Sequence, residues 1–553
     1  MSQSNVIVSA FSPYAFDEQI SIPEFMTKYN PDDVSYDKVV HVDTITGKSI
    51  TYGGLRQEAA KCAWGLRKLS LRVGDTVLIL SSFAIRYGGP VQWSRRQALI
   101  VCGLQLMSRP VNTASTAKDL AHAFGLVKPK YIATSAAFIA KVREAIELVE
   151  YGEACMRPNI ISVLDRIEST LKFPEDVVGK RPDEALAPYS LGNNSAKETV
   201  ALICFSSGTT GKMKGVQLTH YSLNANVHQY RTSFPSQYNC HQSEVFFPPY
   251  CHIYGLSTVI LLGMWLGTFT CALPAFELGV FCQKMEQYKA TWAHVVPPVA
   301  LSLASSDVPL KYNLSTLECV VVAAAPLKKA LQTMLKTRFP SAVVVQGKSI
   351  ATLKHDEDNL GTCGRLFAGT EARLVNPETG KDVARGEEGE LWVRGPQVML
   401  GYVGDESATR NTFSGDWLKT GDIMTMDEKN NFYVTDRLKE MIKFQIAPSE
   451  LEDLLLRHPH VIDAAVCAIY DDDQASEVPL AYVSLIQEYA MSPHAKMRDI
   501  LDGIRNWLNS RVAGYKKLRG GVFHLQELPK TNSGKLLRKN LPAKLKEIRE
   551  SRM

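Results

Sequence analysis

The chain has 553 residues, a formal net charge of +5 at pH 7, 45% hydrophobic residues and 22% charged residues. This length exceeds one ordinary core, so we expect two or more domains, and the small charge excess gives no basic surface of the kind that binds nucleic acid. The 11 cysteines show no Cys-x-x-Cys spacing, which indicates neither a metal cluster nor a disulfide framework and favours a reduced, intracellular compartment.

Helical and strand patterns alternate in the N-terminal part of the chain. They predict an amphipathic helix from Tyr52 to about Leu69, a strand within residues 73–80 that is entered through a turn, and short strands at 130–134 and 159–163. This alternation is typical of a parallel sheet with helical crossovers.

Residues 86–110 interrupt the alternation. Arg95, Arg96 and a Gly-Gly-Pro run occupy a segment in which an amphipathic helix would be expected to pack. Two explanations remain open: a divergent surface segment, or a stretch that does not represent the functional protein, such as a mis-spliced gene product.

A polar loop rich in glycine, serine and threonine follows an apolar run at 199–205 that predicts a buried strand, and the loop is expected to lead into a helix. Its hydroxyls, backbone N–H groups and lysines suit a polyphosphate, although a solvated linker is the alternative for a bare Gly/Ser run. It is not a Walker A loop, because its glycines are too closely spaced and Met213 replaces the hydroxyl that binds magnesium. The residues expected to contact the phosphates are Ser206, Ser207, Gly208, Thr209, Thr210, Gly211, Lys212 and Lys214.

Further apolar runs continue the alternation beyond this loop. They predict strands at 246–254, 291–296, 317–322 and 342–345. The uncharged stretch 255–276 is long enough for a membrane span, but its glycines, threonines and proline favour a buried helix that runs into a strand. We therefore do not expect an integral membrane protein.

The pattern changes in the last third of the chain. Alternating apolar residues and glycine turns in residues 371–402 predict an antiparallel subdomain. Beyond it, a helix from Pro448 and strands near 464–469 and 480–486 predict a separate small unit.

The run from Ser206 to Val216, Ser-Ser-Gly-Thr-Thr-Gly-x-x-Lys-Gly-Val, resembles the phosphate loop of the adenylate-forming superfamily, which includes acyl-CoA synthetases, 4-coumarate-CoA ligases, luciferases and peptide-synthetase adenylation domains. The resemblance implies an α/β fold with a large N-terminal domain of parallel-sheet αβ layers and a small antiparallel β subdomain. A hinge would join it to a small, mobile α+β C-terminal domain. We expect the boundary between residues 1–436 and 437–553.

Two segments of the large domain are similar to substrate-binding segments of that superfamily. Residues 322–326, Val-Ala-Ala-Ala-Pro, resemble the Gly-Ala-Ala-Pro run along which adenine lies, which assigns Ala323 and Ala324 to the nucleotide, with Ala323 in place of glycine. Residues 246–255 resemble the segment that closes the acyl pocket. The pocket residues implied are His252, Ile253, Tyr254 and Gly255.

Motifs near the domain boundary and the C-terminus also carry roles by resemblance. Asp422, in Trp-x-x-Thr-Gly-Asp, would accept hydrogen bonds from both ribose hydroxyls, and Arg437 would hold the ribose side. Lys439 falls at the hinge. Lys535 ends a Pro-Lys-x-x-x-Gly-Lys run and would reach the carboxylate and the α-phosphate.

The chemistry that the resemblance implies has two steps and uses ATP, Mg²⁺ and coenzyme A. A carboxylate attacks the α-phosphorus of ATP to give acyl-AMP, and a thiol then displaces AMP. Most of the catalytic work is charge neutralisation and positioning. The residues expected to be catalytic are Lys535, Lys443 and Thr210, and no residue is assigned as a metal ligand.

Two catalytic motifs depart from the pattern of the superfamily. After Gln346 the chain lacks the aromatic residue, threonine and magnesium-binding glutamate of the expected segment, about seven residues by comparison with the pattern. After Lys443 about three residues are absent, including a Lys-Gly pair that would face the thiol. Short, clean losses such as these indicate missing exonic sequence.

Three functions therefore remain as hypotheses. The first is an acid-thiol ligase for an aryl or medium-chain acid; the second is a catalytically impaired relative that binds nucleotide or acyl groups; the third is an adenylating enzyme with an acceptor other than coenzyme A. The final tripeptide Ser551-Arg552-Met553 resembles a relaxed peroxisomal address, which predicts an import receptor as a partner and a peroxisomal location, with the cytoplasm as the alternative.

Overall fold

The structure of the chain is a computed structural model in which sheets and helices alternate. The residues that the structure describes are 5–12, 15–44, 47–80, 107–110, 116–149, 157–163, 166–206, 213–248, 250, 252–323, 327, 329–346, 351–352, 360–438, 446, 448–471, 476–512, 516–530 and 536–542.

The strands are numbered in chain order. They are β1 (Ile7–Val8), β2 (Val39–Asp43), β3 (Ser49–Thr51), β4 (Thr76–Leu80), β5 (Met107–Pro110), β6 (Tyr131–Thr134), β7 (Asn159–Ser162), β8 (Leu171–Lys172), β9 (Val200–Ser206), β10 (Lys214–Thr219), β11 (Ser243–Phe246), β12 (Phe269–Ala272), β13 (Trp292–Val295), β14 (Cys319–Val322), β15 (Val343–Gln346), β16 (Ala351–Thr352), β17 (Arg365–Leu366), β18 (Glu371–Val375), β19 (Gly389–Arg394), β20 (Gly401–Tyr402), β21 (Phe413–Ser414), β22 (Trp417–Met426), β23 (Phe432–Arg437), β24 (Val461–Asp471), β25 (Ser476–Leu485) and β26 (Val522–His524).

The helices are numbered in the same way. They are α1 (Ile22–Lys28), α2 (Tyr52–Lys68), α3 (Ala117–Val127), α4 (Ala136–Glu147), α5 (His220–Ser233), α6 (Gly263–Leu266), α7 (Leu278–Gln287), α8 (Pro297–Ser305), α9 (Lys329–Arg338), α10 (Glu406–Thr412), α11 (Pro448–Leu455), α12 (Gln487–Ala490) and α13 (His494–Asn509). A π-helix spans Gly255–Leu262, and short 3₁₀ turns span Val308–Lys311 and Arg538–Asn540.

The first sheet has the order β20-β10-β9-β5-β4-β6-β7-β8. Its strands from β9 to β8 run parallel, as the alternation of helices and strands predicts, and β4 is buried along its whole length. The predicted helix at 52–69 and strands at 73–80, 130–134 and 159–163 are confirmed. Strand β5 comes from the segment that interrupts the sequence pattern, and no pattern predicted it.

The region after the phosphate loop differs from the prediction. The loop does not run directly into a helix, because β10 intervenes and pairs antiparallel with β9. Helix α5 begins only after Thr219, whose side chain accepts the backbone N–H of Ser222. Alternating Val216 and Leu218 give β10 its strand pattern, and the capping box sets the start of the helix.

The second sheet has the order β15-β14-β13-β11-β12-β2-β3, with β11 to β15 and β2 parallel. The predicted strand at 246–254 is wrong, since β11 ends at Phe246 and a π-helix begins at Gly255. The prolines that follow Phe247 lack the N–H that a central strand needs, so the ladder ends there. The predicted strands near 291–296, 317–322 and 342–345 are confirmed.

The uncharged stretch 255–276 forms a buried π-helix, the short helix α6 and the buried strand β12. The prediction of a buried helix that runs into a strand is therefore confirmed. Across the described ranges, no helix has the length and apolar character that a membrane crossing requires.

The third sheet, β1-β18-β19-β22-β21 with β23 on β22, is antiparallel. It confirms the antiparallel subdomain and extends it to Arg437. The C-terminal unit pairs β24 antiparallel with β25 and adds β26 parallel to β25, and α11 and α13 contribute to its core. These units confirm the predicted fold class; the boundary predicted after residue 436 stays a prediction.

Two histidines of α5 lie in the core between the N-terminal helix α1 and the sheets. His228 lies 4.8 Å from the ring centroids of both Phe25 and Trp265, and His220 accepts the backbone N–H of Ile22 at Nδ1. Burial lowers the pKa of His220 to about 4 and that of His228 to about 3. Both imidazoles are therefore neutral in the folded protein at pH 7.

We predict that the free energy of unfolding falls as the pH drops from 7 to 5. The folded pKa values are depressed below 6.5, so the unfolded chain binds the protons first, and each histidine removes about 2 kcal/mol of stability at pH 5. Urea unfolding of His228→Phe should show about half of the combined loss. Replacing the exposed His241 by glutamine is the control and should leave the full loss of unfolding free energy between pH 7 and pH 5. If His228→Phe loses as much unfolding free energy over this range as the parent chain, the assignment is contradicted.

Candidate active site

A hairpin closes the predicted phosphate loop. Ser206 at the end of β9 stands opposite Lys214 at the start of β10 in the antiparallel register. The ring of His122 approaches the carbonyl of Met213, with Nε2 3.0 Å from the oxygen. The backbone at both ends of the loop is therefore fixed. The predicted residues Ser207, Gly208, Thr209, Thr210, Gly211 and Lys212 lie outside the described residues.

The ammonium group of Lys214 lies 4.9 Å from the centroid of the Tyr402 ring. Tyr402 belongs to β20, which pairs antiparallel with β10 opposite Val216, and its N–H donates to Oγ1 of Thr409 at 2.9 Å. The lysine is thus held over an aromatic face beside the loop, in a place where its charge can attract an anion.

The two residues predicted to bind ribose face each other across β22 and β23. Asp422 is paired with Arg437 in the register, and Nε of the arginine lies 2.6 Å from Oδ1 of the aspartate. The Asp422 side chain is 13% exposed and the Arg437 side chain 54%, so the pair lies at the surface with its acid more protected. Gly421, the residue before Asp422 in β22, has a φ of 71°, a conformation that suits glycine.

A buried glutamate that no sequence pattern singled out contacts the residue before Asp422. Glu390 accepts the backbone N–H of Gly421 at 3.0 Å with one oxygen and the indole N–H of Trp392 at 2.8 Å with the other. The pairing of β19 with β22 shifts by a bulge between Glu390 and Trp392. An acid among the apolar residues of β19 is the signal that could have identified it.

Asp436 connects the end of β23 to the start of α11. Its carboxylate accepts the N–H and the hydroxyl of Ser449 at 3.1 and 2.9 Å, and the hydroxyl also donates to the carbonyl of Thr435. The predicted hinge residue Lys439 and the predicted catalytic residue Lys443 lie outside the described residues, on the chain between these two anchors.

The C-terminal segment is anchored on both sides of the loop that ends with Lys535. Lys530 forms a backbone bridge with Leu536, and the N–H of Leu537 donates to the carbonyl of Pro529 at 2.8 Å. The Lys530 ammonium also contacts the carboxylate of Asp463. Lys535 itself lies outside the described residues, but its two flanks are close together and fixed.

A buried ion pair adds to this anchor. Arg538 donates from Nη2 to both oxygens of Glu452 at 2.8 Å and from Nε to the carbonyl of Val466 at 3.0 Å. Glu452 also accepts the N–H of Val466 at 2.8 Å. Burial raises the pKa of Glu452, and the charge of Arg538 opposes that rise. These contacts with the Glu452 carboxylate and the Val466 carbonyl hold residue 538 against β24.

The residues predicted to line the acyl pocket are partly brought together. His252 and Ile253 are exposed, Tyr254 is half-buried, and Gly255 is buried as the first residue of the π-helix. Ala323 follows β14 and donates its N–H to the carbonyl of Val295 at 3.0 Å, while Ala324 lies outside the described residues.

Comparison with known proteins identifies the family. The family model described as AMP-binding enzyme matches residues 96–403, and that described as AMP-binding enzyme C-terminal domain matches residues 450–535. A protein of Dictyostelium discoideum named probable 4-coumarate–CoA ligase 1 is 33% identical over 529 residues, which cover 91% of this chain and 92% of that protein. A 4-coumarate–CoA ligase of Arabidopsis thaliana is also 33% identical, over 92% of this chain and 88% of its own length.

The fold agrees with that of solved structures. A benzoate-CoA ligase from Burkholderia xenovorans superposes with a TM-score of 0.76 at 21% identity, over 94% of this chain and 99% of its own. At that identity the superposition supports a shared fold only. The sequence matches support common ancestry. The chain therefore belongs to the AMP-binding enzyme family, within the adenylate-forming superfamily.

Proposed function

We propose that the chain is an ATP-dependent acid-thiol ligase, which joins a carboxylic acid to AMP and then transfers the acyl group to coenzyme A. The observation that carries this proposal is the pairing of Asp422 with Arg437 at 2.6 Å, on neighbouring strands and with the aspartate largely protected from solvent. An ionised carboxylate has about four acceptor sites, so one carboxylate can accept hydrogen bonds from two ribose hydroxyls as well as from an arginine.

The first step is an in-line displacement at the α-phosphorus. A carboxylate oxygen of the acid forms the new P–O bond, and pyrophosphate leaves with the electrons of the bond that breaks. The groups suited to stabilise the charge are the N–H groups of the loop after Ser206 and the ammonium groups of Lys214 and Lys535. The contacts of Leu536 and Arg538 hold the chain directly after Lys535.

In the second step the thiol sulfur attacks the acyl carbon and AMP leaves. Lys443 and the hinge at Lys439 belong to this step by resemblance. The contacts of Asp436 with Ser449 hold the end of β23 beside the first turn of α11. Rotation about a short segment between two anchors would change the face that the small domain presents.

Magnesium is proposed to enter with the nucleotide. Within the described ranges, no three His, Cys, Asp or Glu side chains are grouped to hold a metal ion. The sequence from Gly347 to Leu353 contains no acid, although the family carries its magnesium-binding glutamate in this segment. Mg²⁺ commonly keeps several waters and binds through substrate phosphates, so MgATP is the species that these residues fit.

We propose an aryl acid as the substrate class, because the relatives that match over most of the chain are named 4-coumarate–CoA ligases. Medium-chain acids are the next class to test. The residues missing after Gln346 and Lys443 favour the alternative functions: an impaired nucleotide- or acyl-binding relative, or an adenylating enzyme with another acceptor.

We also propose peroxisomal import through Ser551-Arg552-Met553, with the cytoplasm as the alternative location. A fluorescent protein fused to the N-terminus of the chain should reach peroxisomes. Removal of the three residues should leave it in the cytoplasm, and import that persists without them would contradict the proposal.

We predict that Lys535→Ala lowers acid-dependent ATP–pyrophosphate exchange by roughly 100- to 1,000-fold, because a cation is lost where charge develops. The assay uses the full chain with Mg²⁺ and a panel of aryl and medium-chain acids. Lys517→Ala, at an exposed site of the same unit, is the matched control and should stay within about twofold. Absence of exchange in the parent chain with every acid would contradict the ligase and favour the impaired relative.

We predict that Glu390→Gln raises the KM for ATP roughly tenfold and leaves the KM for the acid unchanged. The amide can accept only one of the two hydrogen bonds that now fix Gly421 and Trp392, and a buried donor left unpaired costs about 1 to 3 kcal/mol. Glu371→Gln, which alters a half-buried ion pair with Arg394 in the same sheet, is the control. An equal rise in both KM values would show a general loss of structure instead.

A further inference from the structure

The pairing of β10 with β20 brings one aromatic ring beside one lysine. Tyr402 lies directly opposite Val216 in the antiparallel register. Side chains two residues apart on a strand lie on the same face, so Lys214 is a diagonal neighbour of Tyr402, within reach of a long side chain. The ammonium nitrogen of Lys214 lies 4.9 Å from the centroid of that ring. The position of this pair therefore follows from the register of the two strands.

The backbone around Tyr402 is held on both edges of β20. On one edge, the N–H groups of the flanking residues Leu400 and Val403 donate to carbonyls of β10 at 3.0 and 2.8 Å. On the other edge, the N–H of Tyr402 donates to Oγ1 of Thr409 at 2.9 Å. That hydroxyl donates in turn to the carbonyl of Asp405, which caps the start of α10. A strand and a helix therefore fix the place of the ring.

The partner of Lys214 is a neutral ring rather than an acid. Other half-buried lysines form ion pairs, as Lys130 does with Asp75 at 2.9 Å and Lys516 with Glu450 at 2.6 Å. Among the described residues, no carboxylate lies within 4.0 Å of the Lys214 ammonium. A carboxylate would neutralise the charge, whereas a ring attracts a cation through its quadrupole and carries no net charge. Lys214 therefore keeps its full charge for an anionic ligand.

Lys214 lies where such a ligand is expected. It is the first residue of β10 and is paired with Ser206 at the end of β9, and these two residues flank the loop that the proposed function assigns to the phosphates of ATP. A lysine side chain loses rotamer freedom when a ligand fixes it. A ring that already attracts the ammonium to one place lowers this cost, because part of the ordering precedes binding.

We propose that Tyr402 is a positioning residue, which holds the ammonium of Lys214 ready for the phosphates of MgATP and leaves its charge intact. An ammonium has three N–H donors, so it can rest on a ring and still donate to phosphate oxygens. The ring face makes the contact, so the phenol hydroxyl is not required. This inference rests on the proposed function, because it takes Lys214 to contact the phosphates of ATP.

The test weakens the attraction of the ring for a cation and keeps its shape. Tyr402 of the full chain is replaced by phenylalanine and by its 4-fluoro, 3,5-difluoro and 3,4,5-trifluoro derivatives, because each fluorine withdraws electron density from the ring face. Calorimetry gives the Kd of MgATP and that of adenosine, which has no phosphate. Tyr402→Phe should keep the Kd of MgATP within about twofold, and three fluorines should raise it stepwise to roughly tenfold. The Kd of adenosine should not change.

Two controls separate this role from a structural one. Tyr288, whose ring centroid lies 6.0 Å from the ammonium of Lys284 at the end of α7, is the matched lysine–tyrosine pair, and the trifluoro derivative at that position should leave both Kd values unchanged. In Lys214→Gln the cation is absent, so the series at position 402 should no longer alter the Kd of MgATP. A purely structural role of the ring would weaken MgATP and adenosine equally.

Four results would overturn the inference: no binding of MgATP to the parent chain, a Kd that stays constant across the series, a Kd that falls as fluorines are added, or a rise that persists in Lys214→Gln. A falling Kd would show that the ring competes with phosphate for the lysine. Pyrophosphate exchange in the parent chain decides the proposed function separately. A stepwise loss of MgATP binding without exchange would support the role of Tyr402 and contradict the ligase, and exchange with a constant Kd would do the reverse.

Discussion

The antiparallel pairing of Ser206 with Lys214 is the constraint on which the rest of the site depends. A loop rich in glycine and hydroxyl groups has much conformational freedom, and it can hold a polyphosphate only if its ends are fixed. The pairing of β9 with β10 brings those ends together, and β20 continues the sheet and carries Tyr402 beneath Lys214. The glycine-rich loop is therefore attached at both ends to paired strands of the first sheet.

Other parts of the site use buried carboxylates for the same purpose. Glu390 accepts the backbone N–H of Gly421, Asp436 accepts that of Ser449, and Glu452 accepts that of Val466. Each acid has a second donor, so its burial is compensated. Each also lies beside a segment to which the family resemblance gives a role: the segment of Asp422 that would bind ribose, the hinge at Lys439, or the segment that ends with Lys535. Fixed contacts on both sides of a hinge are what a domain that must rotate and return requires.

The sequence predicted the class of fold and most of the strands, because buried parallel strands are recorded as apolar runs between turn residues. The strand predictions failed where neighbouring residues in the chain override or obscure the local hydrophobic pattern. Strand β10 is short and polar on one face, so its pattern merged with that of α5, and the expected strand beyond Phe246 was ended by prolines that cannot donate to a ladder. Glu390 was missed because its partner Gly421 is distant in the chain, and no local spacing reveals it.

The measurement that tests the account most directly is a single-turnover reaction of the full chain with [α-³²P]ATP, Mg²⁺ and an aryl acid, quenched before and after the addition of coenzyme A. The account predicts labelled acyl-AMP before the addition and its conversion to AMP and acyl-CoA after it. Labelled acyl-AMP that persists when coenzyme A is added would contradict the thiol transfer. Labelled ADP, or no acid-dependent product at all, would contradict adenylation itself.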